Sequence, residues 1–159
     1  MAAAHCPHPA IAREEQMPSA AAKKSAKTPA QKVAHARTAE PVLVKGRREF
    51  FTYRDLGVAD ASGGNMRAQV MKATQGLSRP TGWHYHECDG QFIYILKGWV
   101  ELQFEDGKTI KVEEGDSLFI PGYLRHNETR TSDEMEILEV SVPGELGTKP
   151  CEAPAGFKS

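Results

Sequence analysis

The sequence has few cysteines, almost no net charge and no long apolar run. Its three cysteines, Cys6, Cys88 and Cys151, are an odd number at long spacings, which is not the pattern of a disulfide framework and favours a reducing compartment. A formal net charge of -1 gives no field that would attract nucleic acid or a membrane surface. No apolar run is long enough for a signal peptide or a membrane span. We therefore expect a cytoplasmic protein with neither nucleic acid nor membrane as a partner.

Residues 1–40 lack aromatic side chains and contain few large aliphatic ones. Ala, Lys, Ser and Pro dominate there, and this composition buries too little apolar surface to offset the entropy lost on ordering. The segment carries six basic and three acidic residues, too few charges to indicate a nucleic-acid arm. We predict a disordered tail over residues 1–40.

From residue 41 onward, short segments of alternating apolar and polar residues are separated by turns. In one of them Val100, Leu102 and Phe104 fall on the same face of a strand, because strand side chains alternate between two faces. Many short strands with almost no helix indicate a compact antiparallel β-barrel or sandwich. We place this domain at residues 41–147. Residues 148–159 are loop-rich and are predicted to be a C-terminal tail, with a strap over the domain as the alternative.

Three histidines and a glutamine of the domain suggest metal chemistry. His84 and His86 alternate on a predicted strand and so share a face, and His126 begins a later strand. Gln91 starts the strand that comes directly after the one with His84 and His86, and we expect a hairpin to place Gln91 beside these two histidines. Three neutral imidazoles bind ions such as zinc, iron or nickel and leave coordination positions open. The alternative is that each histidine is a hydrogen-bonded core residue, and spacing alone leaves both interpretations open.

The stretch GWHYHECDGQFIYILKG resembles the first of two sequence motifs of the cupin superfamily. That motif has a glycine, a His-x-His pair, a glutamate and a second glycine. This sequence matches it at Gly82, His84, His86 and Gly98, with Gln91 at the position of the glutamate.

The stretch GDSLFIPGYLRHN resembles the second cupin motif, which has a glycine, a proline and a histidine. The matching residues are Gly115, Pro121 and His126. The resemblance is close over residues 82–126 and looser over residues 42–143.

The resemblance implies a small antiparallel jelly-roll barrel, often dimeric, that holds one divalent metal ion. By position the ligands are His84, His86 and His126, with Gln91 in fourth place. Gln91 departs from the motif because its neutral amide ligates a cation only weakly, through the carbonyl oxygen. An all-neutral ligand set leaves the charge of the ion uncompensated, which favours iron, zinc or nickel over manganese and favours an anionic substrate.

Cupins include dioxygenases, isomerases, lyases and binding modules, so the fold does not fix the function. We expect a homodimeric, metal-dependent, dioxygenase-like enzyme that acts on a small anionic molecule. The alternative is a non-catalytic domain that binds or senses a small molecule. No general base can be named from the sequence, since no further histidine and no carboxylate of certain strand parity lies near the three histidines.

Overall fold

A computed structural model describes residues 30–46 and 48–157. Most of the predicted disordered tail, residues 1–29, therefore lies outside the described residues. Residues 30–40 are exposed, but they contact the domain. The backbone N–H of Lys32 donates to the carbonyl of Ala61 at 2.9 Å, and the Lys32 ammonium lies 2.6 Å from the Asp60 carboxylate. The end of the predicted tail thus lies against the body of the protein.

The described residues form eleven strands and one short helix. Among these residues, no helix is long and apolar enough to cross a membrane. In chain order the elements are β1 Val42–Lys45, β2 Phe51–Asp55, α1 Val58–Ala61, β3 Arg67–Ala73, β4 His84–His86, β5 Gly90–Lys97, β6 Trp99–Phe104, β7 Thr109–Glu113, β8 Ser117–Pro121, β9 His126–Thr131, β10 Met135–Val142 and β11 Thr148–Pro150.

The strands form two antiparallel sheets. One has six strands in the order β1-β2-β3-β10-β5-β8, and the other has five in the order β11-β4-β9-β6-β7. Non-consecutive neighbours in both sheets mean that the chain crosses repeatedly between them, as in a jelly roll. The predicted all-β antiparallel fold is confirmed.

The core lies between the two sheets and follows the alternation of the sequence. In β6 the side chains of Val100, Leu102 and Phe104 are buried, as their shared face predicts, and the residues between them are partly exposed. Ile95 of β5 is completely buried and faces the same core. Burying a side chain of this size contributes about 1.5–3 kcal/mol relative to leaving it exposed.

The predicted hairpin between β4 and β5 is wrong. Strand β4 pairs with β9 and β11 in the five-stranded sheet, whereas β5 pairs with β10 and β8 in the six-stranded sheet. The residues between β4 and β5 therefore carry the chain from one sheet to the other. Gln91 faces the histidine pair across the interior and is not its neighbour within one sheet.

The segment predicted to be a C-terminal tail contains a strand. Thr148 to Pro150 form β11, which pairs with β4 in antiparallel register. Beyond it, the backbone N–H of Cys151 donates to the carbonyl of Trp83 at 2.9 Å, and the rings of Trp83 and Phe157 lie 4.8 Å apart. Residues 148–157 thus lie against β4 and Trp83, which is the arrangement that the alternative of a strap describes.

Candidate metal centre

The five-stranded sheet brings the three predicted histidines together. His84 of β4 lies directly opposite His126 of β9, and His86 follows two residues later on the same face of β4. The ring centroids are 5.2 Å apart for His84 and His86, 4.4 Å for His84 and His126, and 5.0 Å for His86 and His126. All three side chains are buried. Strand parity and one cross-strand pairing thus create the cluster.

Backbone carbonyls fix the tautomers of two of these histidines. Nδ1 of His84 lies 2.8 Å from the carbonyl oxygen of Gly82, and Nδ1 of His126 lies 2.9 Å from that of Leu124. A carbonyl oxygen only accepts, so each Nδ1 carries the proton and donates it. The remaining nitrogen, Nε2, then carries a lone pair when the ring is neutral, which is the state that binds a metal ion.

The third histidine is oriented by a residue that the sequence interpretation had placed in the tail. Nδ1 of His86 lies 3.0 Å from the hydroxyl oxygen of Thr148, its cross-strand partner on β11. A hydrogen bond of this kind orients the ring of a metal-binding histidine and directs the other nitrogen into the site. Thr148 was missed because nothing in the sequence pairs residues 148–150 with β4.

The cluster meets a chemical test for a metal ion. One ring nitrogen from each histidine lies within 4.8 Å of the others. Nε2 of His126 is buried and has no hydrogen-bond partner among the described residues, which costs about 1–3 kcal/mol when nothing compensates. Burial lowers the pKa of His126 and outweighs the nearby Glu128 carboxylate, which raises it, so the neutral imidazole that can act as a ligand is favoured. A cation between the rings satisfies all three nitrogens at once.

Gln91 enters the interior from the opposite sheet. It is 6% exposed and lies on β5 between Ile120 of β8 and Ser141 of β10. Its side-chain amide makes no hydrogen bond within residues 30–46 and 48–157. Gln91 lines the same cavity as His84 and His86, which leaves its carbonyl oxygen available to a ligand in that cavity.

A carboxylate that the sequence interpretation did not identify stands beside the histidines. Glu128 lies two residues after His126 on β9, and its Oε1 is 3.7 Å from Nε2 of His84. Burial raises the pKa of the Glu128 carboxyl, but His84, His126 and the hydrogen bond from Thr81 together outweigh burial, so the pKa lies below its usual range. The signal was present in the sequence, because residues 126 and 128 of one strand share a face.

The cluster opens into a cavity of about 1860 Å³ between the sheets. Its apolar wall includes Ile93, Val100, Leu102 and Ile120. Cationic side chains also line it, and these are Lys45, Arg48, Arg67 and Arg79. Acidic side chains line it as well, and these are Asp55, Glu128, Glu139, Glu145 and Glu152. The C-terminal strap contributes residues from Thr148 to Phe157. A cavity with both apolar and polar lining suits a small organic ligand.

The short loop before β9 is tied to the end of β4. Tyr123 has a left-handed backbone with φ of 62°, and its N–H donates to the carbonyl of His86 at 2.9 Å. A Cβ added to Gly122 would lie 1.6 Å from the carbonyl oxygen of Cys88. Only glycine allows the loop to pass so close to the residues between β4 and β5, and this close approach holds His86 and His126 at a fixed separation.

The comparisons with known proteins agree with this geometry. Residues 73–141 match a family model described as Cupin domain. Over these residues the chain resembles that family. The match includes β4 to β9 and all three clustered histidines, and the predicted resemblance is confirmed. A search of curated proteins finds no match.

Solved structures share the fold of this chain at low sequence identity. KdgF from Halomonas sp. is 17% identical with a TM-score of 0.58, over 70% of this chain and 94% of KdgF. The polyketide cyclase RemF from Streptomyces resistomycificus is 20% identical with a TM-score of 0.60, over 80% of this chain and 88% of RemF. A structure of FeII HppE is 17% identical with a TM-score of 0.55, over 69% of this chain and 60% of HppE. At these identities the similarity shows the fold.

Proposed function

We propose that this cupin domain binds one divalent metal ion through His84, His86 and His126, with Gln91 as a fourth ligand. The proposed activity is that of a metal-dependent, dioxygenase-like enzyme acting on a small anionic molecule. The observation that carries the proposal is the convergence of three imidazole nitrogens, two of them from histidines that line a cavity. A structural zinc site is disfavoured, because such sites are normally closed by four strong ligands.

The donor set selects the type of ion. Three imidazoles and one amide oxygen suit iron, zinc and nickel better than manganese. When bound, such an ion supplies Lewis acidity and, if it is iron, redox chemistry with dioxygen. The solved structure of FeII HppE, which shares the fold, supports iron as the first ion to test.

The residues of the chain perform the positioning. The Gly82 and Leu124 carbonyls and the Thr148 hydroxyl hold the three imidazoles in orientation. Apolar side chains line part of the cavity, and electrostatic interactions are stronger where fewer waters surround them. Arg67 and Arg79 line the same cavity and attract a carboxylate or an enolate oxygen. Carboxylates line the cavity as well as these arginines, so the anionic substrate class is proposed from the positive charge of the ion.

The test is metal analysis of the untagged full-length protein followed by oxygen-uptake screening. We expect about one equivalent of iron, zinc or nickel per chain, consistent with three convergent imidazole ligands. His126→Ala is expected to lose the ion, whereas the same change at His35, a histidine outside the cavity, retains it. Oxygen uptake is then screened with small carboxylates, diketones and thiols on the loaded protein.

Each outcome of this test has a distinct consequence. Substrate-dependent oxygen uptake that is lost in His126→Ala supports the proposed enzyme. A bound ion with no turnover in any screen supports the non-catalytic binding or sensing function. Protein that retains no ion from any of the three metals contradicts the proposed centre.

The outer face of the six-stranded sheet supports a homodimer. Phe92, Tyr94 and Leu96 project from β5 away from Gln91, and Phe119 of β8 lies beside Phe92; these side chains are 38–61% exposed. Monomers rarely leave large contiguous apolar patches in water, and one face can pair with its own copy about a two-fold axis. We propose that a second copy covers this face.

The cytoplasm is the proposed compartment, because Cys88 and Cys151 are both free thiols.

A further inference from the structure

We propose that Glu128 is a carboxylate ligand of the metal ion and supplies, from β9, the negative charge that Gln91 does not supply from β5. The inference rests on the proposed metal centre and adds one residue to it. Nothing in the two cupin motifs of the sequence points to position 128.

The first step concerns the side chain of Glu128. Strand β9 pairs His126 with Phe104 and Glu128 with Leu102 of β6, and both β6 residues are buried in the core. His126 and Glu128 therefore point into the interior from one face of β9. The Glu128 side chain is 28% exposed, so it is largely withdrawn from water.

Thr81 holds the Glu128 carboxylate in place. The Thr81 hydroxyl accepts a hydrogen bond from the backbone N–H of Glu128 at 3.1 Å and donates one to Oε2 of the carboxylate. The backbone N–H of Thr81 also donates to the carbonyl of Glu128 at 2.9 Å. Thr81 thus occupies one carboxylate oxygen and leaves Oε1 directed toward His84. A carboxylate held in this way needs little reorganisation to bind an ion.

The third step concerns the atoms that face each other. Nδ1 of His84 donates to the Gly82 carbonyl, so Nε2 of a neutral His84 carries a lone pair. This Nε2 atom lies 3.7 Å from Oε1 of Glu128, and the carboxylate oxygen also carries only lone pairs. Two electron-pair donors repel each other unless a cation lies between them.

The distance agrees with shared coordination. Ligands bound to one ion at about 2.1 Å, with angles between 90° and tetrahedral, are separated by about 3.0–3.5 Å. The observed 3.7 Å is a few tenths of an ångström longer and closes with a small rotation of the glutamate. The other possible cation is a proton, which would make an imidazolium–carboxylate pair, and the experiment distinguishes the two.

The experiment measures Co²⁺ and Zn²⁺ affinity of the untagged full-length protein by titration against a chromophoric chelator. Glu128→Gln removes the charge and keeps the size of the side chain. It is expected to weaken binding of both ions at least about 10-fold, the range found when supporting groups of metal sites are removed. The Co²⁺ absorption spectrum is expected to change as well. Glu139→Gln is the matched control, since Glu139 lines the same cavity but hydrogen-bonds to Gln69.

Two further variants separate ligation from general charge effects. Glu128→Asp keeps the charge but shortens the side chain, so a directly coordinating residue loses affinity there too. Gln91→Glu added to Glu128→Gln restores a carboxylate from the opposite sheet and is expected to recover most of the lost affinity. Thermal unfolding of each metal-free variant verifies that it is folded.

The outcomes separate this inference from the proposed function. Wild-type affinity in Glu128→Gln overturns the inference and favours the imidazolium–carboxylate pair. Wild-type affinity in Glu128→Asp with weak binding in Glu128→Gln also overturns it, because charge alone would then be sufficient. Failure of the wild-type protein to bind Co²⁺ or Zn²⁺ more tightly than His126→Ala would contradict the metal centre itself.

Discussion

Thr148→Val tests whether the C-terminal strand is part of the metal site. Valine has nearly the shape of threonine but lacks the hydroxyl that lies 3.0 Å from Nδ1 of His86. Without that partner the imidazole loses a fixed orientation and a buried polar nitrogen loses a hydrogen bond. The second effect alone costs about 1–3 kcal/mol. Metal affinity is expected to fall about 10–100-fold, as for other groups that orient metal-bound histidines.

The assay is a competition titration of Zn²⁺ against a chromophoric chelator on the metal-free protein. Thr148→Ser is the control, because it keeps the hydroxyl and removes only a methyl group. Serine is expected to bind nearly as well as wild type, and valine much more weakly. The reasoning is refuted if valine matches wild type. It is also refuted if serine is as weak as valine, since the methyl group and not the hydroxyl would then be responsible.

Three further predictions test the loop, the buried histidine and the proposed dimer. Gly122→Ala should destabilise the fold by about 1–3 kcal/mol or more, because the added Cβ clashes with Cys88. Gly107→Ala is the control: Gly107 has a φ of 89° and no neighbour within 4 Å, so the change should cost only about 1 kcal/mol of backbone strain. Chemical denaturation measures the free energy of unfolding of both variants. Because the pKa of His126 is lowered by burial, protons bind the unfolded state more readily. The free energy of unfolding of the metal-free protein should therefore be constant above about pH 6.5, the pKa of His126 in the unfolded chain. It should decrease as the pH falls from there toward the lower pKa of His126 in the folded protein. A His126→Gln variant should show a shallower decrease in denaturation measured from pH 7 to 5. Phe119→Glu should convert the dimer to a monomer in sedimentation experiments while the metal content stays at the wild-type level.

The fold and the histidine cluster were predictable because both follow from alternation. Strand parity alone places His84 and His86 on one face, and it also places Val100 and Leu102 in the core. The second motif then supplied His126 by resemblance. What the sequence does not contain is the pairing of β4 with β9, which sets His84 opposite His126. Contacts between strands distant in the chain depend on the crossings of the two sheets, and local patterns do not record them.

The same limit explains the residues that were missed. Thr148 and Thr81 act only through partners that lie 62 and 47 residues away along the chain, so neither has a local signature. The loop-rich composition of the last residues predicts a tail, yet β11 completes the sheet by covering the edge of β4. An edge strand with free N–H and C=O groups is a liability, and pairing with β11 covers β4 and leaves a short strand of three residues at the edge. The composition shows that β11 lacks apolar alternation, but it does not show that β4 needs a pairing strand.

Glu128 is a different case, because its parity with His126 was available from the sequence. The motif directed attention to position 91, where a glutamate was expected and Gln91 was found. In the structure the two positions face one cavity from opposite sheets, Gln91 from β5 and Glu128 from β9. One carboxylate at either position gives the same total charge around an ion. A sequence that has lost the acid of the motif can therefore keep the electrostatics of the site by carrying an acid two residues after the last histidine. The position of the charge nevertheless differs: in the proposed site it lies on the histidine-bearing sheet, and the side of the ion that faces β5 is left to the neutral amide of Gln91.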